Sequence, residues 1–575
     1  MIINFRHKTL RRIISYIFCL ALIVVVFRIS NYPGNEGFNP SDDGVVLAQS
    51  YRIIHGEVPH RDFISIRPVF SGVLHSLHFI SPLPLFDSAR WFVIFQFIVI
   101  AFSAASVLPR LLQASYSVAG EIAVFFILFT LSILNYNLFP WTTIDAVFWS
   151  ALSLWFLYSV KNFDSKAFLG VFMLVLAALS RQTFVLPALV LSMFFLIQYF
   201  WKFRLPRGIF VVALAWLPAV LYAAMLVVTG AGAEFITQMT GRTEFVETGL
   251  IQYAVRWVKS PAVAVHAIML LMFLASLFIR NRKNPMIAFL IRRSGLLTSL
   301  MLFWVTAIIA IHFLRSDFQI YLLPFEMFFV LIDLIMLAWI VKKPDYPTLG
   351  FAFFTLLIAY TSSISLGDNS PIFACGLLMA GVLSISRWLM AATLVRLPTV
   401  RLASAFLLTS ALVIIVLGFY SQRKINYRDL PANDLHYQLS TVNPQFGSVM
   451  TNSRTGAYYS DLHKIYTSLP GAANHTVVLP HNAAFYPLMQ TQNPLPLDWM
   501  QPAEYCGSEK RVMQSLTDVC SRSGYYFIVD KYDVKKIHTS EIPLQQSDFA
   551  YLQLIIGTCN KIETQSHFFD VYATQ

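Results

Sequence analysis

Charged residues are scarce in this chain of 575 residues. Asp, Glu, Lys and Arg make up 13% of it, whereas hydrophobic residues make up 57%, and the mean hydropathy is +0.62. About a quarter of the residues of an ordinary soluble domain are charged. The scarcity excludes a soluble globular protein and indicates that the bilayer is the main solvent.

Clusters of basic residues are also lacking, although the net charge is +12. Nucleic-acid binding needs Lys and Arg gathered on one domain or face. Here they are scattered between apolar runs, so no nucleic-acid partner is expected.

Cysteine is rare, and none of the five cysteines has the spacing of a metal site. Cys19 and Cys375 lie in apolar runs, and Cys506, Cys520 and Cys559 lie near the C-terminus. A disulfide between Cys506 and Cys520 is one pairing that an oxidising compartment allows, and Cys559 can replace either partner.

Long apolar runs occupy most of the chain. About thirteen approach the roughly 20 residues that a helix needs to cross a bilayer. They begin near residues 13, 90, 118, 144, 167, 185, 208, 261, 294, 325, 348, 371 and 402. The first runs on to about Ile29 without a small-residue cleavage site, so it is interpreted as an anchor and not as a cleaved signal peptide.

The basic residues predict the orientation of these helices, because short cytoplasmic loops collect Lys and Arg. The N-terminus is basic, and so is every second connection, from Arg110 through Lys342 to Arg401. We therefore expect a cytoplasmic N-terminus in a bacterial inner (plasma) membrane. The expected domains are a transmembrane domain over 1–420 and a periplasmic or extracellular α/β domain over 421–575, on the same side as the loop 31–89.

The loop 31–89 contains two adjacent acids. Asn39 or Ser41 can cap a helix whose first turn holds Asp42 and Asp43, and Gly56 can end it. One interpretation is that both acids only complement the helix dipole. The other is that one acts as a general base, or helps to hold a divalent cation such as Mg²⁺ or Mn²⁺.

Asp42-Asp43-Gly44, followed by a helix and then Gly56-Glu-Val-Pro-His-Arg-Asp-Phe63, resembles the first external loop of C-type (GT-C) membrane glycosyltransferases. This superfamily includes lipid A aminoarabinose transferases and protein mannosyltransferases, and His60 stands where Tyr is commoner. The resemblance implies sugar transfer from a polyprenyl-phosphate carrier, with an acid of the pair near the acceptor hydroxyl. It also implies substrate contacts for His60, Arg61 and Asp62.

Two arginines are predicted near the level of lipid phosphates. Ser180-Arg-Gln-Thr183 and His312-Phe-Leu-Arg-Ser-Asp-Phe-Gln-Ile-Tyr321 each follow an apolar run. Arg181 and Arg315 either anchor their helices at the interface or bind phosphate through paired hydrogen bonds. Both segments resemble external motifs of the same superfamily, which implies phosphate contacts for Arg181 and Gln182 and substrate contacts for Asp317 and Tyr321.

Other polar residues allow two interpretations each. Asp145 resembles a second external acid of the superfamily, which implies that it contacts the substrate or, together with Asp43, a metal ion. It can equally cap its helix. Asp333, in the middle of an apolar run, has either a structural or a functional partner. His55 and His60 are expected as turn residues and not as zinc ligands. The loop 230–260 starts with Gly and Ala, so a flexible cover over an active site is expected.

Past residue 421 the composition becomes polar. We predict a helix over Gly456–Leu469 and strands over Thr476–Pro480, Tyr525–Val529, Leu552–Ile556 and His567–Tyr572. These elements form a small α/β domain that covers or binds the acceptor.

The sequence thus predicts an inverting glycosyltransferase with a polyprenyl-phosphate sugar donor and an extracytoplasmic glycan, lipid or protein acceptor. The alternatives are a transporter or flippase, and a polymerase or ligase of lipid-linked glycans. A transporter needs ionisable residues along a membrane path, and a polymerase or ligase should carry its chemistry in a large late loop.

Overall fold

The computed structural model describes residues 35–111, 118–133, 138–241, 244–278, 285–314, 322–341, 345–364, 370–393 and 428–575. Helices make up most of this part of the chain up to residue 393, and a small mixed α/β unit follows. The helices are α1 (Asp42–Ile54), α2 (Phe70–His75), α3 (Leu85–Leu111), α4 (Val118–Ile133), α5 (Thr142–Ser159), α6 (Phe163–Ser180), α7 (Val185–Trp201), α8 (Leu205–Ala215), α9 (Leu217–Val228), α10 (Gly232–Thr240), α11 (Glu244–Val258), α12 (Val263–Phe278), α13 (Pro285–Leu314), α14 (Leu322–Val341), α15 (Tyr346–Ser363), α16 (Cys375–Thr393), α17 (Ser453–Ser468), α18 (Phe485–Met489), α19 (Glu509–Cys520) and α20 (Ala550–Thr558).

Five stretches of helix are long and apolar enough to cross a membrane. They are Leu85–Leu111, Phe163–Ser180, Gln182–Trp201, Leu323–Val341 and Ile372–Met390. Two pairs of helices pass the same test together but are bent, α8 and α9 by 56° and Ile251–Val258 and Val263–Leu277 by 109°. The chain is therefore a multi-pass membrane protein with five to seven such spans among the described residues.

The predicted count of thirteen spans is not confirmed. The runs that begin near residues 13 and 402 lie outside the described residues. The run that begins near 208 is broken between Ala215 and Leu217, where Pro218 lacks the N–H that would continue the helix. The bend between Val258 and Val263 contains Pro261. Pro218 thus turns one predicted span into a bent pair, whereas the run that begins near 261 follows the second bend and forms the single helix α12.

The apolar helices share one core. Buried residues of α3, α5 and α6 pack together with those of α14, α15 and α16. Since α3 and α5 also carry polar side chains at their N-terminal ends, this packing fixes where those side chains lie.

The unit 428–575 contains a four-stranded sheet in the order β3-β4-β6-β5. Its strands are β3 (Thr476–Leu479), β4 (Tyr526–Asp530), β5 (Asn560–Ile562) and β6 (Phe569–Ala573), with a separate pair β1 (Tyr437–Gln438) and β2 (Met450–Thr451). β3 and β4 are parallel and the other pairs of the sheet are antiparallel. The predicted α/β character is confirmed, as are α17 and the strands β3, β4 and β6.

The predicted strand over Leu552–Ile556 is wrong, because this segment belongs to α20. Its buried residues, Tyr551, Leu552 and Ile555, follow the spacing of one helix face. A run of five residues is too short to distinguish the strand period of 2 residues from the helix period of about 3.6 residues.

The cysteine pair brought together is not the one favoured from the sequence. The Sγ atoms of Cys520 and Cys559 are 3.7 Å apart, and both residues are thiols. The Sγ of Cys506 instead contacts the carbonyl of Ala503. Cys559 therefore replaces Cys506 as the neighbour of Cys520.

Helix α1 is held against the unit 428–575 at both of its ends. At its start, Ser41 Oγ donates to the His481 carbonyl at 2.6 Å. At its end, the buried Arg52 binds Asp498 at 2.8 Å and Glu57 at 2.6 Å. Between them, a Cβ on Gly44 would lie 2.0 Å from the Ala484 backbone nitrogen. The two longest polar segments of the sequence therefore meet, as predicted.

Gly44→Ala should loosen this contact, because the new methyl group meets backbone atoms that cannot move aside. We expect a loss of about 1–3 kcal/mol, typical of overpacking, seen as a lower thermal unfolding temperature of the purified protein. Gly557→Ala is the matched control, since nothing lies within 4 Å of a Cβ there. Equal unfolding temperatures for the two variants would contradict this account of the contact.

Candidate functional site

The first turn of α1 is capped by Asn39. Its Oδ1 accepts hydrogen bonds from the backbone N–H groups of Ser41 at 3.0 Å and Asp42 at 2.9 Å. The helix ends at Ile54, and Gly56 has φ of +84°. The predicted helix and its limits are confirmed, with Asp42 and Asp43 in its first turn.

Asp43 is fully engaged by its neighbours. One oxygen lies 2.9 Å from Arg90 Nη2, and the other accepts from the Asn39 N–H at 2.9 Å. Only 1% of Asp43 and 4% of Arg90 are exposed. Burial raises the pKa of Asp43, and the Arg90 guanidinium opposes that rise. This carboxylate ties α1 to α3.

Asp42 faces the unit 428–575. Its Oδ2 lies 2.8 Å from Nη1 of Arg428, whose side chain is 29% exposed. Lys535 is also nearby: burial lowers its pKa, and the Asp42 charge opposes the change. Asp42 therefore connects the start of α1 to a basic part of the C-terminal unit.

A second group of polar residues surrounds the N-terminus of α5. The guanidinium of Arg181 donates to Thr143 Oγ1 and to the Ile364 carbonyl. Gln182 donates to the Ile66 carbonyl of the first loop at 2.9 Å. The predicted Arg181-Gln182 segment is thus in contact with the first loop.

Arg67 was not predicted and lies next to this contact. Its guanidinium carbon is 5.1 Å above the Trp141 ring, and its charge acts on Arg181. Both arginines are only 5% exposed. Neither has a carboxylate partner within ion-pair distance among the described residues. Two buried positive charges therefore lie together, each without an acid in the described chain.

Asp145 lies in the same turn of α5 as Thr143. Its Oδ1 accepts from Gln96 Nε2 at 2.7 Å and lies 3.1 Å from His75 Nε2. His75 Nδ1 is 2.9 Å from His78 Nε2, and His78 Nδ1 is 2.9 Å from Ser88 Oγ. Burial lowers the pKa of His78 to about 3, so this ring is neutral. Asp145 is thus the end of a buried chain that leads to a half-buried hydroxyl.

One face of α5 carries buried polar atoms that have no hydrogen-bond partner within the described part of the chain. They are Thr142 Oγ1, Asp145 Oδ2 and Trp149 Nε1, at positions i, i+3 and i+7. Buried polar groups are normally paired with protein or water. This face, next to Arg181, therefore has capacity to bind a polar ligand or ordered water.

The predicted substrate residues His60, Arg61 and Asp62 join three parts of the chain. His60 is fully buried, with Nδ1 2.7 Å from Gln238 Oε1 and Nε2 2.8 Å from Tyr222 Oη. Arg61 pairs with Asp62 at 2.9 Å. Arg511 Nη1 donates to the His60 carbonyl at 2.7 Å. Since both ring nitrogens of His60 are engaged, this turn acts here as a structural joint.

The segment 230–260 is helical and not a loop: it forms α10 and α11, although residues 242 and 243 lie outside the described part of the chain. The expected flexible cover over an active site stays a prediction. Gln238 of α10 contacts His60 and Ser65, and Glu234 lies 3.5 Å from Arg511. α10 therefore links the first loop to the C-terminal unit.

Three predicted site residues, Arg315, Asp317 and Tyr321, lie outside the described residues. Their roles stay predictions.

The predicted metal ligands Asp43 and Asp145 do not fit a shared cation. Asp43 faces a guanidinium and Asp145 faces His75 and Gln96, so each belongs to its own network. Across the described ranges, no group of three or more His, Cys, Asp or Glu side chains is arranged to hold a metal ion.

The residues that sequence reasoning missed are Arg67, His75, His78, Arg90 and Gln96. Each of them is a polar side chain within or beside an apolar run. Such a side chain is costly in a membrane unless it is paired, and this cost could have identified them from the sequence. Arg90 and Gln96 both lie on α3, six residues apart. At about 1.5 Å per residue, the two acid networks are therefore about 9 Å apart along this helix.

Comparison with known proteins gives matches to solved structures only: no protein-family model and no curated protein matches the chain. Two crystal structures of ArnT from Cupriavidus metallidurans resemble it, one in the apo state and one bound to undecaprenyl phosphate. The apo structure is 11% identical, with 97% of both chains covered and a TM-score of 0.41. The bound structure is 11% identical, with 97% of this chain and 98% of that chain covered and a TM-score of 0.43.

The two adjacent acids should differ in their effect on stability. Asp43→Asn leaves the buried Arg90 without this carboxylate, and we expect a loss of about 3–5 kcal/mol. Asp42→Asn should cost less, because its partner Arg428 is partly exposed and its charge stays hydrated, although Asp42 itself is buried. Thermal unfolding of both purified variants measures the difference.

The double variant Asp43→Asn with Arg90→Met serves as the control. It removes both charges and should regain part of the stability that Asp43→Asn loses. If Asp42→Asn were the less stable single variant, the assignment of Asp43 to the scaffold would be wrong.

Proposed function

We propose that this protein is a membrane glycosyltransferase, which moves a sugar from a polyprenyl-phosphate carrier to the hydroxyl of a glycan, lipid or protein acceptor. The observation that carries the proposal is the pair of buried arginines, Arg67 and Arg181, at the N-terminus of α5. A buried charge is costly unless it is paired. An anionic ligand removes that cost.

The chemistry around the two arginines favours a phosphate. Guanidinium groups bind phosphate through paired hydrogen bonds. The N-terminus of α5, an 18-residue helix, adds the positive end of a helix dipole. Thr142 adds, in the same turn, a hydroxyl that no described residue binds. The neighbouring helices are apolar and span the membrane, which suits a phosphate on a lipid chain.

The proposed transfer breaks one bond and forms one. The acceptor oxygen attacks the anomeric carbon from the side opposite to the phosphate, so the configuration inverts. The bond between this carbon and the phosphate oxygen breaks, and the polyprenyl phosphate departs with its electron pair. Arg67 and Arg181 stabilise the charge that develops on the phosphate. The proton of the acceptor hydroxyl passes to a carboxylate.

Asp42 is the carboxylate that we propose as the base. Both oxygens of Asp43 are used to hold Arg90 and Asn39. Asp42, which is also buried, instead faces the contact between α1 and the C-terminal unit, and its partner Arg428 is partly exposed to solvent. Arg428 orients this carboxylate at 2.8 Å.

The predicted orientation is part of the proposal: a cytoplasmic N-terminus, the C-terminal unit in the periplasm and an inner-membrane location. The predicted Mg²⁺ or Mn²⁺ dependence also stays a prediction. Removal of divalent cations with EDTA, followed by addition of Mg²⁺ or Mn²⁺, tests it directly in the transfer assay described below.

A transporter or flippase of lipid-linked sugars is the second candidate, and one observation favours it. His266 of α12 lies 2.6 Å from Asp333 and 3.6 Å from Glu326, all within apolar helices and at most 2% exposed. Buried ionisable residues at such places are typical of transport paths. The pair at Arg67 and Arg181 would then hold the lipid during passage without bond cleavage.

Sugar transfer by purified protein in liposomes separates the candidates, with a panel of polyprenyl-phosphate sugars as donors. Arg67→Ala and Arg181→Ala should lower both binding of polyprenyl phosphate and the transfer rate by at least tenfold, since a charged hydrogen bond is worth about 1.5–3 kcal/mol. Asp42→Asn should keep binding but lose about a hundredfold or more in rate, as loss of a general base predicts.

Arg454→Ala is the matched control, because this arginine is exposed and lies 3.8 Å from Glu541 on the C-terminal unit. It should bind the carrier and transfer sugar like the wild type. Carrier movement across the liposome membrane without any cleavage of the sugar–phosphate bond would favour the transporter. Wild-type rates in both arginine variants would overturn the phosphate site.

A further inference from the structure

A groove on the unit 428–575 is unaccounted for by the proposed transfer. It has a volume of about 350 Å³ and opens to the surface between α17, α18 and the segment around Asn443. This volume is within the range of about 300–1,000 Å³ that is usual for small-molecule sites. The groove is therefore large enough for a ligand.

The lining of the groove is uncharged and exposes more apolar than polar surface. Its polar groups are the side-chain amides of Asn443, Gln445 and Gln490 and the polar atoms of His463, Tyr466 and Thr467, and no Asp, Glu, Lys or Arg among the described residues lines it. A charged ligand would find no counter-ion there. Amides both donate and accept hydrogen bonds, as pairs of hydroxyl groups require. The lining thus fits a neutral, hydroxyl-rich ligand.

Several of these polar groups still have hydrogen-bonding capacity. Nδ1 of His463 is buried and has no partner among the described residues. Gln445 uses its Oε1 to accept from the Leu85 N–H at 3.1 Å, so its amino group remains to donate. The amide of Gln490 makes no side-chain hydrogen bond within the described chain. A buried ring nitrogen without a partner is costly unless a ligand or water meets it.

Two aromatic rings form one wall of the groove. Tyr466 packs edge-on against Phe485 with the ring centroids 5.2 Å apart, and Tyr466 and His463 lie on one face of α17, three residues apart. Below them, Leu488 and Met489 form an apolar floor. Flat rings beside polar amides suit the alternating C–H and O–H faces of a sugar ring.

The groove is close to the acidic pair. Ala483 and Ala484 touch Gly44, next to Asp43, and α18 begins directly after them and ends at the groove. Its five residues span about 7.5 Å. Gln445 also binds Leu85, the first residue of α3, and Arg90 of α3 holds Asp43.

We propose that this groove is a saccharide-binding subsite, which holds a neutral sugar unit of the glycan acceptor beside the acidic pair. The role of the saccharide as an acceptor rests on the proposed function. The binding of a saccharide in the groove does not depend on that function. Among the glycan, lipid and protein acceptors of the proposed function, the groove therefore favours a glycan.

Direct binding is the first test. Wild-type protein in lipid nanodiscs, free of sugar-based detergents, is titrated with maltotriose, cellotriose, mannotriose and N,N′-diacetylchitobiose by isothermal calorimetry and saturation-transfer NMR. We expect at least one saccharide to bind, and His463→Ala and Gln490→Asn to weaken it by at least tenfold. Asn is chosen at position 490 because it tolerates the left-handed backbone there, φ +50°.

Lys464→Ala is the control, because Lys464 neighbours His463 on α17 but is exposed and does not line the groove. It should bind like the wild type. Absence of binding for all four saccharides, or equal affinity in the wild type and both groove variants, would overturn the subsite.

The transfer assay separates this proposal from the proposed function. If sugar is transferred, the groove variants should raise the KM for a saccharide acceptor at least tenfold and leave kcat unchanged. If no sugar is transferred but saccharide binding depends on His463 and Gln490, the transferase proposal fails and the subsite stands. Transfer with an unchanged KM in both variants would overturn the acceptor role.

Discussion

The buried ion pair between Asp43 and Arg90 joins the first loop to the bundle of apolar helices. Each partner would be costly without the other, because neither charge reaches water. Through Asp43, α1 is fixed on α3; through Gly44 and Arg52, the same helix is fixed on the unit 428–575. This helix of 13 residues is thus one link between the two parts, beside the direct contacts that α3 makes with the unit through Leu85 and Asp87.

This pairing also explains how two adjacent carboxylates differ. Neighbouring residues on a helix point about 100° apart, so one can face α3 while the next faces the C-terminal unit. Asp43 meets a fully buried arginine, whereas Asp42 meets Arg428, which is partly exposed. The arginines at α5 show the opposite arrangement, since Arg67 and Arg181 have no acid among the described residues. In the proposed function, the pair of Asp43 and Arg90 stabilises the fold, and Arg67 and Arg181 bind an anion.

Local sequence signals made part of the fold and of the candidate site predictable. The Asn39 cap, the acids after it and Gly56 mark the limits of α1 within 18 residues, so the helix was found correctly. Arg67, His75 and Arg90 were missed because their partners lie 47 to 114 residues away or in another element, and nothing in the local pattern encodes such distances. The same limitation applied to Leu552–Ile556, whose five residues fit either the helix or the strand period, so that tertiary packing decided the outcome. The break at Pro218 is different, because its signal is local and was overlooked.

Helix α3 relates the parts of the site to one another. Arg90 fixes the acidic pair, and Gln96, about 9 Å further along the helix, fixes Asp145 beside the arginines of α5. Leu85, at the start of the same helix, contacts the groove through Gln445. A rigid helix that holds all three places keeps their separations constant. In the proposed transfer, an acceptor bound at one place and a lipid phosphate bound at another would be held at a fixed separation, which is the condition for a transfer between two bound substrates.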